Sequence, residues 1–584
     1  MSSQLTCNTM YYSPLVFLGL ATTVCAFTLN RQGLDRYRYD ISDEQVDNRQ
    51  DLQENEVWYW RSQAEQTLRQ KLKIKQIEGV AKNVIFFLGD GLSMTTITAA
   101  RIYLGQLNNR SGEDTKLSFE QFPFTGLAKT YCVDKQVADS ACSSTAYLGG
   151  VKANYATLGV TATVPKDNCS LSQDPRYHVD TVLDWAQEAG KGTGLVTTTS
   201  ITHASPAGHY AHISYREWES DYDMLTQKIT TDPKNCQDIA SQLVHNAPGK
   251  NCNVLLGGGR KKFLPANPIN PSWGEGERRD ERNLVMDWHR DKAYRGKAQY
   301  VSNRKQLLDV DIKHTDYLLG LFQPYHMLYH LEEGNNEQPT LTEMTEVAIR
   351  MLQKNKRGYY LFVEGGKIDQ AHHKNYARMA LDETVEFHKA IQRALEMVDE
   401  KDTLVVVTAD HSHTLNMVGY PLRGDDILGG DLISNQDNLP YTTLSYANGP
   451  SAEINRTGLR RNISNDNLQD IYYQYPSMVN RDKETHGGED VAVFARGPWA
   501  HLLTGNFEQN FIPHVMQFAA RIAPTRKLTA ASSCGTKQAP IGSAYGSLPV
   551  LASTLITVLY YISSYRFFRV QFFVENSMMY QYIA

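Results

Sequence analysis

Three apolar runs in this chain stop abruptly at carboxylates and histidines. Val84–Leu88 (VIFFL) runs into Gly89-Asp90-Gly91. Tyr359–Val363 (YYLFV) runs into Glu364-Gly365-Gly366-Lys367-Ile368-Asp369 and then His372-His373. Leu404–Val407 (LVVV) runs into Thr408-Ala409-Asp410-His411-Ser412-His413. Short continuous runs of this kind read as strands buried on both faces of a sheet. In open α/β sheets, ligands bind outside the carboxyl ends of such strands. Three of them side by side would gather Asp90, Glu364, Asp369 and Asp410 at one edge. Carboxylates that close repel one another, and either shift pKa or disorder the edge. Divalent cations remove the conflict, so a multi-metal site is expected. A lone Asp after a strand is an ordinary cap or turn residue, and Gly-Asp-Gly alone is a turn signal. Three such endings, two with histidines at chelating spacings, are not explained that way.

The chain has 584 residues, enough for several average domains or one large decorated one. Its formal charge of −5 carries no basic stripe, which excludes a nucleic-acid footprint. Further candidate strands are Gly194–Thr197, Val254–Leu256 and Val491–Phe494. Helical periodicity marks Leu341–Leu352, Ala377–Val398 and a segment near Pro513–Ile522. Alternation of strand and helix argues for an α/β sandwich. Asp51–Lys75, with Trp58 and Trp60, reads as an exposed amphipathic helix, an arm more than a domain. From Tyr420 to Asp482 the pattern dissolves into Gly, Asn, Asp and Tyr, which marks an insertion.

The two ends concern targeting. Tyr11–Leu29 is uncharged and contains the small-residue pattern Val24-Cys25-Ala26, so residues 1–26 read as a secretory signal. Near the carboxyl end, Ala530-Ala531-Ser532-Ser533-Cys534-Gly535 is followed by a polar spacer and an apolar stretch, Leu548–Ile562. That order is the order of a GPI-attachment signal, with Ser532, Ser533 or Cys534 as the attachment residue. The tail continues through Arg566 and Arg569 to Ala584, and a membrane-spanning segment is the alternative. Of eight cysteines, Cys132, Cys142, Cys169, Cys236, Cys252 and Cys534 lie beyond the signal, with no CxxC pair and no pairing readable from spacing. Sequons stand at Asn109, Asn168, Asn455 and Asn462.

Asp139-Ser140-Ala141-Cys142 places a serine at the expected start of a helix, where free N–H groups and the helix dipole favour an anion. The Gly-x-Ser-x-Gly elbow of a Ser-His-Asp hydrolase is missing here, so a metal would have to activate Ser140.

With Ser140 in view, a family resemblance emerges. Asp139-Ser140-Ala141, His203-Ala204-Ser205-Pro206-Ala207-Gly208, Val363-Glu364-Gly365-Gly366, Thr408-Ala409-Asp410-His411-Ser412-His413 and Glu484-Thr485-His486 closely resemble the animal alkaline phosphatases, in order, from about residue 56 to residue 522. The resemblance implies an α/β fold with a large central mixed, mostly parallel β-sheet flanked by helices on both faces. It implies an N-terminal helical arm (27–75), a catalytic domain (76–419 and 483–525), a crown-like insertion (420–482) and a C-terminal spacer with the attachment signal (526–584). It implies a phosphomonoesterase with two zinc ions and one magnesium per subunit. Asp369, His373 and His486 would take one zinc, Asp90, Asp410 and His411 the other, and Asp90, Ser205 and Glu364 the magnesium. Ser140 would be the nucleophile and Arg216 the phosphate clamp. His203, His372 and His413 would support the ligands from behind. Four carboxylate charges against six from the ions and one from Arg216 leave a surplus of three for a phosphate dianion. A Cys169–Cys236 disulfide, a homodimer joined through arm and crown with Tyr420 reaching the partner, and a GPI-anchored place on the outer face of the plasma membrane complete the implied picture.

Departures from that pattern are equally specific. Where animal relatives carry carboxylates for a calcium ion, this chain has Ser272, Phe322, Gln323 and Gln338, so no ordinary calcium site is expected. Gln370 replaces a histidine beside the zinc aspartate. Cys132 and Cys142 flank Ser140 and depart from the vertebrate pattern, and a disulfide between them would stiffen the nucleophile loop. Other functions lack their signatures. The sulfatase motif C/S-x-P-x-R is missing around Ser140, a phosphodiesterase of the superfamily would lack Arg216 and the magnesium set, and a non-catalytic binding protein would not retain every ligand.

Overall fold

Ten strands form one sheet, and the three apolar runs lie at its centre. In chain order the strands are β1 (Asn83–Gly89), β2 (Phe124–Lys129), β3 (Gly192–Ser200), β4 (Val254–Gly258), β5 (Ala298–Val301), β6 (Tyr317–Leu321), β7 (Tyr359–Gly365) and β8 (Thr403–Ala409), followed by Val491–Arg496 and Gly505–Glu508. Across the sheet the order is Gly505–Glu508, β2, Val491–Arg496, β8, β1, β7, β3, β4, β6, β5. Val491–Arg496 runs against both its neighbours, and every other adjacent pair is parallel. The computed structural model describes residues 52–227, 236–266, 276–332, 337–452 and 459–522. The expected signal 1–26, the first half of the arm, Ser272, Asn455, the candidates Ser532, Ser533 and Cys534, and the apolar tail lie outside the described residues.

The central strands are apolar on both faces because both faces are covered. Neighbouring residues of β1 show this directly. Phe86 turns to Tyr147 of the helix Ser140–Gly149, with ring centroids 5.5 Å apart, and Phe87 turns to Phe387 of the helix Ala377–Met397, at 6.0 Å. Leu341–Leu352 packs beside Ala377–Met397, and Ile512–Ala520 beside Ser140–Gly149. Strands β1, β3, β7 and β8 are buried along nearly their whole length. By contrast β2 alternates between buried and exposed residues.

Register brings the functional strand ends level. Gly89 pairs with Gly365 on one side and with Ala409 on the other, so Asp90 and Asp410 emerge together one residue later. Glu364 lies opposite Leu88 and Thr197. Gly91 has φ +66°, and a Cβ there would sit 2.2 Å from His413 Cδ2, so only glycine lets the chain turn beneath that ring.

The described part of the arm is a short 3₁₀ turn, Leu52–Asn55, and the helix Val57–Lys71, none of whose residues is buried. The inserted stretch carries small sheets, including Leu444–Gly449 between Leu415–Met417 and Ser477–Asn480. Among the described residues no helix is long and apolar enough to cross a membrane.

Candidate active site

Four adjacent strands, β8, β1, β7 and β3, deliver the site from their carboxyl ends. Asp410 and His411 follow β8, Asp90 follows β1, and Glu364 ends β7. Asp369 and His373 lie on and just after the helix Lys367–His372 that follows β7. His203 and Ser205 follow β3. Ser140 comes from elsewhere, as the first residue of the helix Ser140–Gly149.

One donor set consists of Asp369, His373 and His486. Asp369 Oδ1 lies 3.4 Å from the Nε2 of each histidine, and the two Nε2 atoms lie 3.3 Å apart. Donors about 2.0–2.1 Å from a tetrahedral zinc are separated by about 3.3–3.4 Å, so the set fits that ion. The ring orientation fits as well. His373 Nδ1 meets Glu484 O at 2.7 Å and His486 Nδ1 meets Ala138 O at 2.8 Å. A carbonyl only accepts, so Nδ1 carries the proton and each Nε2 presents a lone pair to the centre. Burial lowers both pKa values, His373 to about 4, which keeps the rings neutral.

A second set consists of Asp90, Asp410 and His411, with Ser140 completing it. His411 Nε2 lies 3.1 Å from Asp410 Oδ2, 3.6 Å from Asp90 Oδ1 and 3.2 Å from Ser140 Oγ. Ser140 Oγ is 3.5 Å from Asp90 Oδ1. A third set is all oxygen. Asp90 Oδ2, Glu364 Oε1 and Ser205 Oγ are buried and have no hydrogen-bond partner. Uncompensated buried oxygens are costly, and they match a hard cation such as magnesium. The other Glu364 oxygen accepts from Thr197 Oγ1 and, at 3.2 Å, from Thr199 Oγ1.

The electrostatics also call for cations. Burial, then the charges of Asp410, Asp369 and Glu364, push Asp90 well above its ordinary range, and burial pushes Glu364 up to about 7. Burial would raise Asp369 and Asp410 too, but His373, His413 and His486 hold the first low and His411 the second.

The remaining expected residues fall into place around these sets. Arg216 Nη1 donates to Asp139 Oδ2 at 3.1 Å, and Nη2 donates to His203 Nε2 at 2.9 Å. Burial, then the Arg216 charge, drives His203 well below its usual pKa, as an acceptor requires. His413 spans two carboxylates, Nδ1 at 2.5 Å from Glu484 Oε2 and Nε2 at 2.7 Å from Asp369 Oδ1. Burial opposes its charge, but Glu484 and Asp369 raise it to about 10. His372 points away, between Thr96 Oγ1 at 3.0 Å and Tyr446 OH at 2.9 Å. Gln370 donates to Asp369 Oδ2 at 2.9 Å. Gln323 donates to Gln338, which also pairs with the Leu328 backbone, while Phe322 is buried. Cys132 is bonded to Cys142, and Cys169 to Cys236. Of the sequons, Asn168 caps the helix Cys169–Ser172, Asn109 follows the helix Met94–Leu107, and Asn462 accepts from Ser464.

One expectation is narrowed. Asp139 is the cap at this helix start and already occupies two of the N–H groups expected to be free there. Its carboxylate accepts from Ala141 N at 3.3 Å and Cys142 N at 3.2 Å. Asp139 and Glu484, which the sequence marks only as motif neighbours of Ser140 and His486, are thus organising residues in their own right. A cap aspartate looks alike in every helix, and Glu484 gains its role only from a pairing with His413 across 71 positions.

Comparison with known proteins agrees with this geometry. The family model described as alkaline phosphatase matches residues 81–522. The membrane-bound alkaline phosphatase of Bombyx mori is 46% identical over 479 residues, 81% of this chain and 87% of that protein. The tissue-nonspecific isozyme of Homo sapiens is 44% identical over 491 residues, 83% of this chain and 92% of that protein. The solved alkaline phosphatase of Thermus thermophilus superposes with a TM-score of 0.54 at 20% identity, covering 77% of this chain and 93% of its own. That of the Antarctic bacterium TAB5 gives 0.51 at 21%, covering 76% and 99%. These two structures establish the fold, and the match across residues 81–522 together with the two animal relatives establishes more: this chain belongs to the alkaline phosphatase family and is a phosphomonoesterase.

Proposed function

We propose that the chain hydrolyses phosphate monoesters to an alcohol and inorganic phosphate through a covalent phosphoserine at Ser140, with two zinc ions and one magnesium. The observation that carries this reading is the position of Ser140 Oγ, 3.2 Å from His411 Nε2 and 3.5 Å from Asp90 Oδ1, where it would be the fourth donor beside Asp90, Asp410 and His411. Asp369, His373 and His486 would hold one zinc, Asp90, Asp410 and His411 the other, and Asp90, Ser205 and Glu364 the magnesium. Bound cations supply charge that neutralises the carboxylates and lowers the pKa of a hydroxyl or water beside them.

The protein's own groups do the rest. Two of the four terminal guanidinium hydrogens of Arg216 are held by Asp139 and His203, which leaves one on each Nη for two phosphoryl oxygens. Ser140 Oγ attacks phosphorus in line, forming the seryl P–O bond as the bond to the leaving alcohol breaks. A water then cleaves the seryl ester and returns Oγ. Ser140→Ala should lower kcat by about a thousandfold or more and abolish the acid-stable phosphoprotein that labelled phosphate gives at low pH. Unchanged turnover in that variant would refute the assignment.

The same reading covers assembly and location. The helix Val57–Lys71, with Trp58 and Trp60 exposed, and the insertion, with Tyr420 78% exposed, supply the homodimer interface. A silkworm relative described as membrane-bound supports attachment at the cell surface, here through a GPI anchor at Ser532, Ser533 or Cys534, with glycans on the sequons. A phosphatidylinositol-specific phospholipase should release the cell-bound enzyme; retention would favour a spanning segment.

A further inference from the structure

The disulfide Cys132–Cys142 spans Cα atoms 5.7 Å apart and closes a ring of chain through residues 132–142. Three devices of the active site lie within that ring. Ser140 is one. Asp139 is the second, capping the helix through Ala141 N and Cys142 N, accepting from Ala156 N at 3.0 Å, and holding Arg216. Ala138 is the third, its carbonyl fixing the His486 ring at 2.8 Å.

Little apolar packing holds the part of this ring that precedes the helix, residues 132–138. Within the ring Cys132, Ala138 and Cys142 form a satellite cluster with Ala153, separate from the main core, which only Ala141 joins, while Val133 and Val137 are exposed. Hydrogen bonds tie the ring from Val133 N to Ala153 O and from Tyr155 N to the side-chain Oδ1 of Asp134. Two alanines bury too little area to hold residues 132–138 in place, so the covalent bond is what ties that segment to the helix start, itself fixed by Ala141 in the main core and by the hydrogen bonds of Asp139. Cys169–Cys236 differs: Cys169 sits in the main core, and its bond closes a separation of 67 residues.

We propose that Cys132–Cys142 is a positioning element of catalysis, holding Ser140, the Asp139–Arg216 pair and the His486 ring in one mutual register. The proposal rests on the assignment of Ser140 and His486 given above. Its test uses the full-length, metal-loaded enzyme carrying Cys132→Ala and Cys142→Ala together, with Cys169→Ala and Cys236→Ala as comparator. Displacement of reacting groups by a fraction of an ångström costs on the order of tenfold to a hundredfold in rate. The first variant should therefore lose kcat by about that factor, bind inorganic phosphate several-fold more weakly, and release zinc at a lower chelator concentration. In the folded comparator all three should stay near wild type, even where its melting temperature falls. A folded Cys132/Cys142 variant with turnover, phosphate inhibition and zinc retention all within twofold of wild type overturns the proposal. An active wild type whose Ser140→Ala variant is equally active overturns the nucleophile assignment instead.

Should the double variant fail to fold, the wild-type bond can be opened with a phosphine. The phosphine gives two electrons to the bond and is oxidised to phosphine oxide. Water supplies its oxygen and the protons of the two thiols. Loss of turnover should track the fraction of Cys132–Cys142 opened, as mapped by mass spectrometry, and full turnover with that bond open overturns the proposal.

Discussion

At the scale of single residues the site is a set of buried groups each pinned from behind. Arg216 shows the pattern most plainly. Its side chain is 14% exposed, and both terminal nitrogens are anchored before any substrate arrives. A pre-oriented fork binds a phosphoryl group without first ordering a flexible chain. Charge-assisted hydrogen bonds of this kind contribute about 1.5–3 kcal/mol, or roughly ten- to a hundredfold in affinity. Arg216→Ala should raise KM and weaken phosphate inhibition by that factor, with a smaller change in kcat. Arg216→Lys should recover little, because a point charge cannot satisfy Asp139, His203 and two substrate oxygens together. Steady-state kinetics with phosphate as inhibitor decide the matter. An unchanged inhibition constant in both variants would remove Arg216 from the binding site.

At the scale of elements, four neighbouring strands and the helices packed on them set the geometry, and one helix contact carries its own pH signature. His330 Nδ1 lies 2.6 Å from Asp382 Oδ2 on Ala377–Met397, its backbone N donates to Glu383, and Nε2 is 3.9 Å from Glu386. The Asp382 bond, opposed by burial and helped by all three carboxylates, raises its pKa. A folded pKa above the unfolded ~6.5 gives stability that is complete below that value and is lost as pH rises through the folded pKa. His330→Gln should therefore destabilise the enzyme by ~1–2 kcal/mol near pH 5.5 and progressively less toward pH 9. Melting temperatures across that range test it, and a gap that widens with pH would contradict it. Elements differ in how legible they were. The runs in β1, β7 and β8 stood out because burial on both faces leaves no polar positions. The strand β5 stayed hidden because three of its four residues are only half-buried and its sequence is short. Asp90, Glu364, Asp410 and His411 were visible at the ends of apolar runs. Thr197, which steadies Glu364, was not, since only the β3–β7 register sets the two side by side.

At the scale of the whole molecule, the sheet edge concentrates negative charge that the fold alone does not neutralise. Asp90 and Glu364 are driven up in pKa by burial and by their neighbours, and Asp90 Oδ2, Glu364 Oε1 and Ser205 Oγ find no donor. Each is a cost that a bound cation converts into a contact. Metal that binds only the folded chain adds stability as the logarithm of its saturation, about 4 kcal/mol per site at a thousandfold excess over Kd. For a chain of 584 residues that corresponds to a rise of at least several degrees in melting temperature. Exhaustive chelation should therefore abolish turnover and lower the melting temperature together. Zinc alone should restore part of both, because it fills the histidine-bearing sets but is a poor match for the all-oxygen one. Magnesium alone should restore neither, since it disfavours imidazole ligands. The two added together should restore both. Calorimetry and turnover on the same samples, with metal content measured, give the comparison. A metal-free enzyme that melts and turns over like the untreated one would mean that the carboxylates are held apart by something other than cations, and the donor sets would lose their purpose.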